Sequence, residues 1–192
     1  SLVAAAAQGI ALGAILQGIT VANRQYAGGW WDWLTPFSLL TGAALVIGYS
    51  LLGATWMVMK TTGDLRERAY AMSWRLMIAT LLALGAVSLA TPFLEAEYWR
   101  RWFTWPSILF TAPVPIAVVI IAGLLSRSLV QRQDHRPFIL SLVLFIITYA
   151  GLGISMWPYV VPQSVTIWEA AAPRSSQLFM LVGVAIMIPI IL

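Results

Sequence analysis

Long apolar runs broken by short charged stretches set the pattern of this chain. Stretches free of Asp, Glu, Lys and Arg cover Ser1–Asn23, Trp33–Met59, Leu76–Leu94, Trp102–Ser126 and Ser175–Leu192. A further one lies between Arg136 and Trp168 and is expected to stop near Trp157-Pro158. The third run is expected to begin near Ala71, with Arg75 reaching back to the surface. A helix rises about 1.5 Å per residue, so about 20 residues cross a hydrocarbon core of about 30 Å. Five of the runs meet that length and the last nearly does. Membrane barrels need short segments alternating apolar and polar, whereas Leu34–Val46 and Ile116–Leu125 are continuous. The pattern predicts an all-α, polytopic transmembrane helix bundle of about six spans, forming one membrane domain over 1–192. Leu192 lies inside an apolar run, and the first run starts at once. The expectation is therefore the C-terminal part of a longer polytopic chain.

Composition agrees. Of 192 residues 60% are hydrophobic and 9% charged, against about 25% charged in a soluble domain. That excludes a soluble enzyme and a disordered tail. A net charge of +4, scattered along the chain, is no nucleic-acid footprint. With no cysteine there is no disulfide, zinc–thiolate site, iron–sulfur ligand or thiol nucleophile.

The alternating loops sort the charges. One side, that of the first residue, receives Lys60, Arg66, Arg68, Arg75, Arg127, Arg132 and Arg136; the other receives Arg24, Arg100, Arg101 and Arg174. Seven against four puts the first side in the cytoplasm by the positive-inside rule. Tryptophan is more lopsided. Trp30, Trp31, Trp33, Trp99, Trp102, Trp105, Trp157 and Trp168 all fall on the outer side, and only Trp56 and Trp74 lie near the inner one. Indole rings settle at the headgroup level, normally on both faces. A one-sided excess is either a thick aromatic belt or an outer face packed against a partner. Pro36 and Pro106 stand near helix starts, Pro113 and Pro115 lie deeper where they can kink the fourth span, and Pro158, Pro162 and Pro173 stiffen the last outer loop.

Few side chains offer chemistry. His135, the sole histidine, sits in the charged stretch 131–136 and reads as a solvated loop residue. Seven methionines are present, but a lone Met on an apolar helix is usually packing filler. Haem ligation by this chain alone is therefore not expected. No span carries a mid-membrane Asp or Glu, which weakens a transporter reading without excluding it. Asp64, Arg66, Glu67 and Arg68 read as a solvated turn, and Glu95 and Glu97 beside Arg100 and Arg101 as a surface ion cluster. Asp32, between Trp31 and Trp33 at the mouth of the second span, can cap that helix or act as a functional acid. Gly9 and Gly13 form a GxxxG pair suited to close helix packing. Gln8, Gln17, Ser50, Thr55, Thr80, Ser88, Thr148, Tyr149 and Ser155 need hydrogen-bond partners at depth. Phosphate-loop, dinucleotide-binding, nucleophile-elbow and metalloprotease motifs are all missing.

Several stretches, in order, carry a family resemblance: GAILQG (13–18), GGWWDWLTPFSLLTG (28–42), GYSLLGATW (48–56), KTTGDL (60–65), GLGISMWPYVVP (151–162), TIWEAAAPRSSQ (166–177) and MIPIIL (187–192). Together they resemble subunit II of cytochrome bd-type quinol oxidases, closest to the cyanide-insensitive branch, over nearly the whole chain. The resemblance implies a respiratory complex of the bacterial cell inner membrane that oxidises quinol and reduces dioxygen to water. It also implies that haems b and d and the quinol-oxidising loop belong to a partner, subunit I. This chain would then be a haem-free subunit that supports assembly, shields the haem bundle and helps deliver protons, with a quinone as an admissible ligand. The family's acidic proton-path residues lie in its N-terminal spans, so no catalytic, cofactor or metal residue is carried over here. Trp31, Asp32, Trp33, Pro36, Trp157, Pro158, Trp168 and Ser176 match the family pattern and read as structural or interface positions. The rival readings are a membrane permease or carrier subunit, and a purely structural or assembly membrane protein.

Overall fold

A computed structural model describes residues 2–22, 25–94, 96–162 and 164–191, together with all their side chains except those of residues 22, 96, 97, 101 and 110. Its helices are α1 (Leu2–Leu16), α2 (Pro36–Lys60), α3 (Gly63–Ala90), α4 (Ala96–Phe103), α5 (Ile108–Thr111), α6 (Pro113–Val130), α7 (Arg136–Met156), α8 (Ile167–Ala170) and α9 (Arg174–Ile191). Among the described residues five helical stretches, built on α2, α3, α6, α7 and α9, are long and apolar enough to cross a membrane. The fold is an all-α polytopic membrane bundle. Two small antiparallel hairpins decorate it, β1 (Val21–Ala22) with β2 (Gln25–Tyr26) and β3 (Tyr159–Val161) with β4 (Val165–Thr166).

The first apolar run is shorter as a helix than its composition predicts. Gly18 takes φ +80, a left-handed conformation that favours glycine, and its N–H bonds the Ile15 carbonyl at 3.0 Å. The chain leaves the helix there and turns into β1. The third run is longer than predicted. Helix α3 starts at Gly63, because Arg66, Glu67 and Tyr70 find partners on the α6–α7 loop and hold its charged turns in helical form. The fourth run divides. Trp102 and Phe103 finish α4, and Pro113, which has no N–H to lose, opens α6 with Pro115 in its first turn.

Helices α1 and α2 meet backbone to backbone. A Cβ added at Gly9 would stand 2.7 Å from Gly42 Cα and from the Thr41 carbonyl oxygen, and one at Gly13 2.7 Å from Ser38 Cα. The GxxxG pair therefore serves internal packing. Thr41 Oγ1 uses the short distance to donate to the Gly9 carbonyl at 2.8 Å. The inner core lies where α2, α3, α6 and α7 converge, on Leu51, Val58, Tyr70, Met77, Leu125 and Leu129, with Leu140 alongside. A second cluster of Leu16, Phe37 and Tyr98 fills the outer end beneath α4.

Candidate functional site

Most of the sequence-predicted positions lie in two connecting regions, before α2 and after α7, that form separate structures, while Pro36 opens α2 and Ser176 belongs to α9. In the first, the chain leaving β2 folds back over itself. The Asp32 carboxylate accepts the Gly29 N–H at 2.6 Å and faces the Tyr26 hydroxyl at 3.3 Å. That hydroxyl also donates to the Gly29 carbonyl at 2.8 Å. Desolvation, then the charge and hydrogen bond of Asp32, hold the Tyr26 phenol above its usual range. Trp33 Nε1 donates to the Trp30 carbonyl at 2.7 Å, and the Trp33 ring stacks on Trp31 with centroids 6.2 Å apart.

Asp32 does not cap the second span. Thr35 does: its Oγ1 accepts the Ser38 N–H at 3.0 Å, Ser38 Oγ accepts the Thr35 N–H at 2.9 Å, and Pro36 takes the first helical position. The Thr35 hydroxyl in turn donates to Gln17 Oε1, tying the end of α1 to the start of α2. Asp32 is instead the organising acceptor of its own loop, three residues before the cap.

The second outer loop carries Trp157, Pro158 and Trp168. The Trp157-Pro158 bond is cis. The Ile167 N–H bonds back to the Pro158 carbonyl at 3.0 Å, and Trp157 meets Trp168 edge to face with centroids 5.8 Å apart. Thr166 caps α8, with Glu169 returning to the Thr166 N–H at 2.8 Å. Among the described residues no ring contact joins the Trp31–Trp33 pair to the Trp157–Trp168 pair. Ser176 lies exposed in the first turn of α9.

The inner ends carry a feature that sequence reasoning missed. Arg66 Nη1 donates to Asp134 Oδ1 at 2.9 Å and its Nε to the Thr61 carbonyl at 2.5 Å, while Tyr70 donates to the same Asp134 oxygen at 3.3 Å. Arg132 grips both carboxylate oxygens of Glu67 and lies 5.4 Å over the Tyr70 ring. The hydrogen bond and charge of Glu67 hold the Arg132 guanidinium above even its usual range. This clamp joins the α2–α3 hairpin to the α6–α7 hairpin and corrects the reading of residues 64–68 as a free solvated turn. The only sequence signal was opposite charges in two loops assigned to one side. Of the proposed outer ion cluster, Glu95 and the side chains of Glu97 and Arg101 lie outside the described residues.

The polar groups at depth divide. Thr55 pairs with Ser141 between helices at 2.9 Å, and Trp102 Nε1 donates to Ser155 Oγ at 3.0 Å. Ser50, Thr80 and Thr148 donate back to their own helices, and Gln8 and Ser88 are exposed. Among the described residues, the placements of His135 and of Met77, Met180 and Met187 do not suit haem ligation. Met77 is packed among the aliphatic side chains of the inner core, Met180 and Met187 are exposed on α9, and His135 is exposed ahead of α7. Among the described residues no cluster of His, Cys, Asp and Glu could hold a metal ion. Among the described residues the arrangement organises loops and helix ends.

The family described as cytochrome bd terminal oxidase subunit II matches residues 1–192. A probable cytochrome oxidase subunit 2 of Haemophilus influenzae is 31% identical over 96% of this chain and 57% of its own length. The cytochrome bd-I ubiquinol oxidase subunit 2 of Escherichia coli K12 is 27% identical over 96% of this chain and 58% of its own. The chain thus spans a little over half the length of these curated relatives. An all-α membrane bundle, the ordered motifs and a match along the whole chain agree: the chain belongs to the family of cytochrome bd terminal oxidase subunit II.

Proposed function

We propose that this chain is part of the haem-free membrane subunit of a bd-type quinol:oxygen oxidoreductase in the bacterial inner membrane. Its partner is a haem-bearing subunit I that holds haems b and d. The partner takes electrons from quinol and passes them to dioxygen, which is reduced to water. The observation that carries this reading is the family match along the whole chain. The work of this chain is assembly and insulation. Its residues form one membrane domain whose packed wall limits water beside the oxygen chemistry. Asp32, Asp64, Glu67, Asp134 and Glu169 all stand at helix ends or in loops, so proton delivery by the subunit is assigned to no described carboxylate of this chain. The outer positions Trp31, Trp33, Trp157 and Trp168 are read as interface residues toward the partner.

The test is expression of the full-length protein with and without the haem subunit, read by co-purification and by the visible spectrum. Haem absorbance that appears only in the two-subunit complex is expected. Stoichiometric haem on the full-length protein alone, or quinol oxidation by it unaided, would overturn the proposal.

A further inference from the structure

Helix α4 carries a face that neither packing nor the oxidase reading uses. Its orientation is fixed from inside. Tyr98 is 3% exposed and its hydroxyl donates to the Leu16 carbonyl at the end of α1, at 3.0 Å. Trp102 reaches Ser155 near the end of α7. Both bonds go to outer helix ends, so α4 lies across that end of the bundle, between the spans α3 and α6. At about 100° per residue, Trp99 and Phe103 share a flank turned away from the Tyr98–Trp102 face. They are 48% and 55% exposed. Phe93, 79% exposed, extends the flank, with ring centroids 5.9 Å (Phe93–Trp99) and 4.7 Å (Trp99–Phe103) apart. Arg100 stands exposed at the edge of this row, and among the described side chains no carboxylate pairs with it.

We propose that α4 is a membrane-surface helix that seats an anionic phospholipid, its phosphate on Arg100 and its upper acyl chain along Phe93, Trp99 and Phe103. Aromatic rings beside a cation on a helix lying across the ends of spans match the boundary between headgroups and acyl chains. A guanidinium pairs a phosphate in two-point geometry, which an uncharged headgroup cannot exploit as fully. The charge selects the lipid class and the ring row sets its depth.

The test uses purified full-length protein in nanodiscs of phosphatidylcholine alone or with phosphatidylglycerol, with retained lipid read by native mass spectrometry. Wild type should retain phosphatidylglycerol in preference, and Arg100→Gln should reduce that retention about fivefold. Arg100→Lys should recover part of it, and Arg75→Gln, on α3 toward the opposite end, should change nothing. Trp99→Ala with Phe103→Ala should weaken retention of both lipids. Equal retention of the two lipids, equal loss with Arg75→Gln, or equal displacement by millimolar inorganic phosphate would overturn the proposal. Should Arg100→Gln not fold, a photoactivatable phosphatidylglycerol on wild type decides. It should label residues 93–103, and labelling confined to other segments refutes the assignment.

Discussion

Replacing Gly9 by Ala adds one methyl group at the tightest contact between α1 and α2. The new carbon would stand 2.7 Å from Gly42 Cα and from the Thr41 carbonyl oxygen, and 3.0 Å from Leu45 Cβ. Two of these are backbone atoms, which no rotamer change can move. Comfortable carbon–carbon separation is about 3.5–4.0 Å, so the helices must part by roughly 1 Å. The separation also stretches the 2.8 Å bond from Thr41 Oγ1 to the Gly9 carbonyl. Overpacking of this kind costs about 1–3 kcal/mol, and the better helix propensity of Ala returns up to about 1 kcal/mol. The net expectation is a loss of about 1–2 kcal/mol. The matched control is Gly53→Ala, in the middle of α2, where nothing lies within 4 Å of the added carbon. It should be neutral or slightly stabilising. Thermal unfolding of the purified full-length protein in detergent, followed by far-UV circular dichroism, compares the two. Trimming Thr41 to Ser should not rescue Gly9→Ala, since the obstruction is backbone. If Gly9→Ala unfolds no earlier than Gly53→Ala, the close seam is not what holds α1 against α2.

Four further outcomes follow from the geometry. Ser73 is fully buried and its Oγ has no partner among the described residues, so Ser73→Ala should leave the thermal midpoint unchanged or raise it, whereas Ser141→Ala, which removes the interhelical bond to Thr55 and leaves Thr55 Oγ1 only its bonds to the Leu51 and Leu52 carbonyls, should cost about 0.5–1 kcal/mol. Glu67→Gln and Arg132→Gln should show only a weak coupling in a double-mutant cycle, because both side chains are more than half exposed, and 1 M salt should shrink it. Trp102→Phe keeps most of the ring but loses the 3.0 Å bond to Ser155, and should lower stability by about 0.5–1.5 kcal/mol. The raised Tyr26 phenol favours its protonated form in the folded loop, so its contribution is present below the ordinary phenol range and is lost as pH climbs through the folded value. In alkaline ultraviolet titration Asp32→Asn should therefore bring one late phenol earlier, and an unchanged titration curve would show that Asp32 does not act on Tyr26.

The membrane class and most spans were legible because each rests on a long, one-dimensional property. Charge-free length alone marked α2, α7 and α9, and a Pro at the first helical position marked the start of α2. The failures share a different cause. Where α1 ends depends on one backbone conformation at Gly18. The cap of α2 required choosing between Asp32 and Thr35, and only the reciprocal bonds of Ser38 decide it. Whether residues 64–68 are a turn or a helix depends on Asp134 and Arg132, more than sixty residues away. Tyr98 and Trp99 are neighbours of similar chemistry, and nothing in composition says that one points inward and the other out. Contacts between distant segments carry no local signature.

The two ends of the bundle are closed by opposite means. At the inner end, long flexible side chains meet across hairpins through charge, Arg66 to Asp134 and Arg132 to Glu67, with the Tyr70 ring beneath them. Such pairs gain modestly in water and are weakened by salt. At the outer end, neutral donors reach backbone or hydroxyl acceptors: Tyr98 to the Leu16 carbonyl, Thr41 to the Gly9 carbonyl, Trp102 to Ser155. These bonds have no net charge to screen. Raising ionic strength should therefore loosen the inner end first and leave the outer end intact. Hydrogen exchange of the α2–α3 and α6–α7 turns should accelerate with salt while the amides of α4 stay protected. A uniform response at both ends would mean that the ion pairs bear none of the closure, and that the core packing of Leu51, Val58 and Leu125 alone holds the hairpins together.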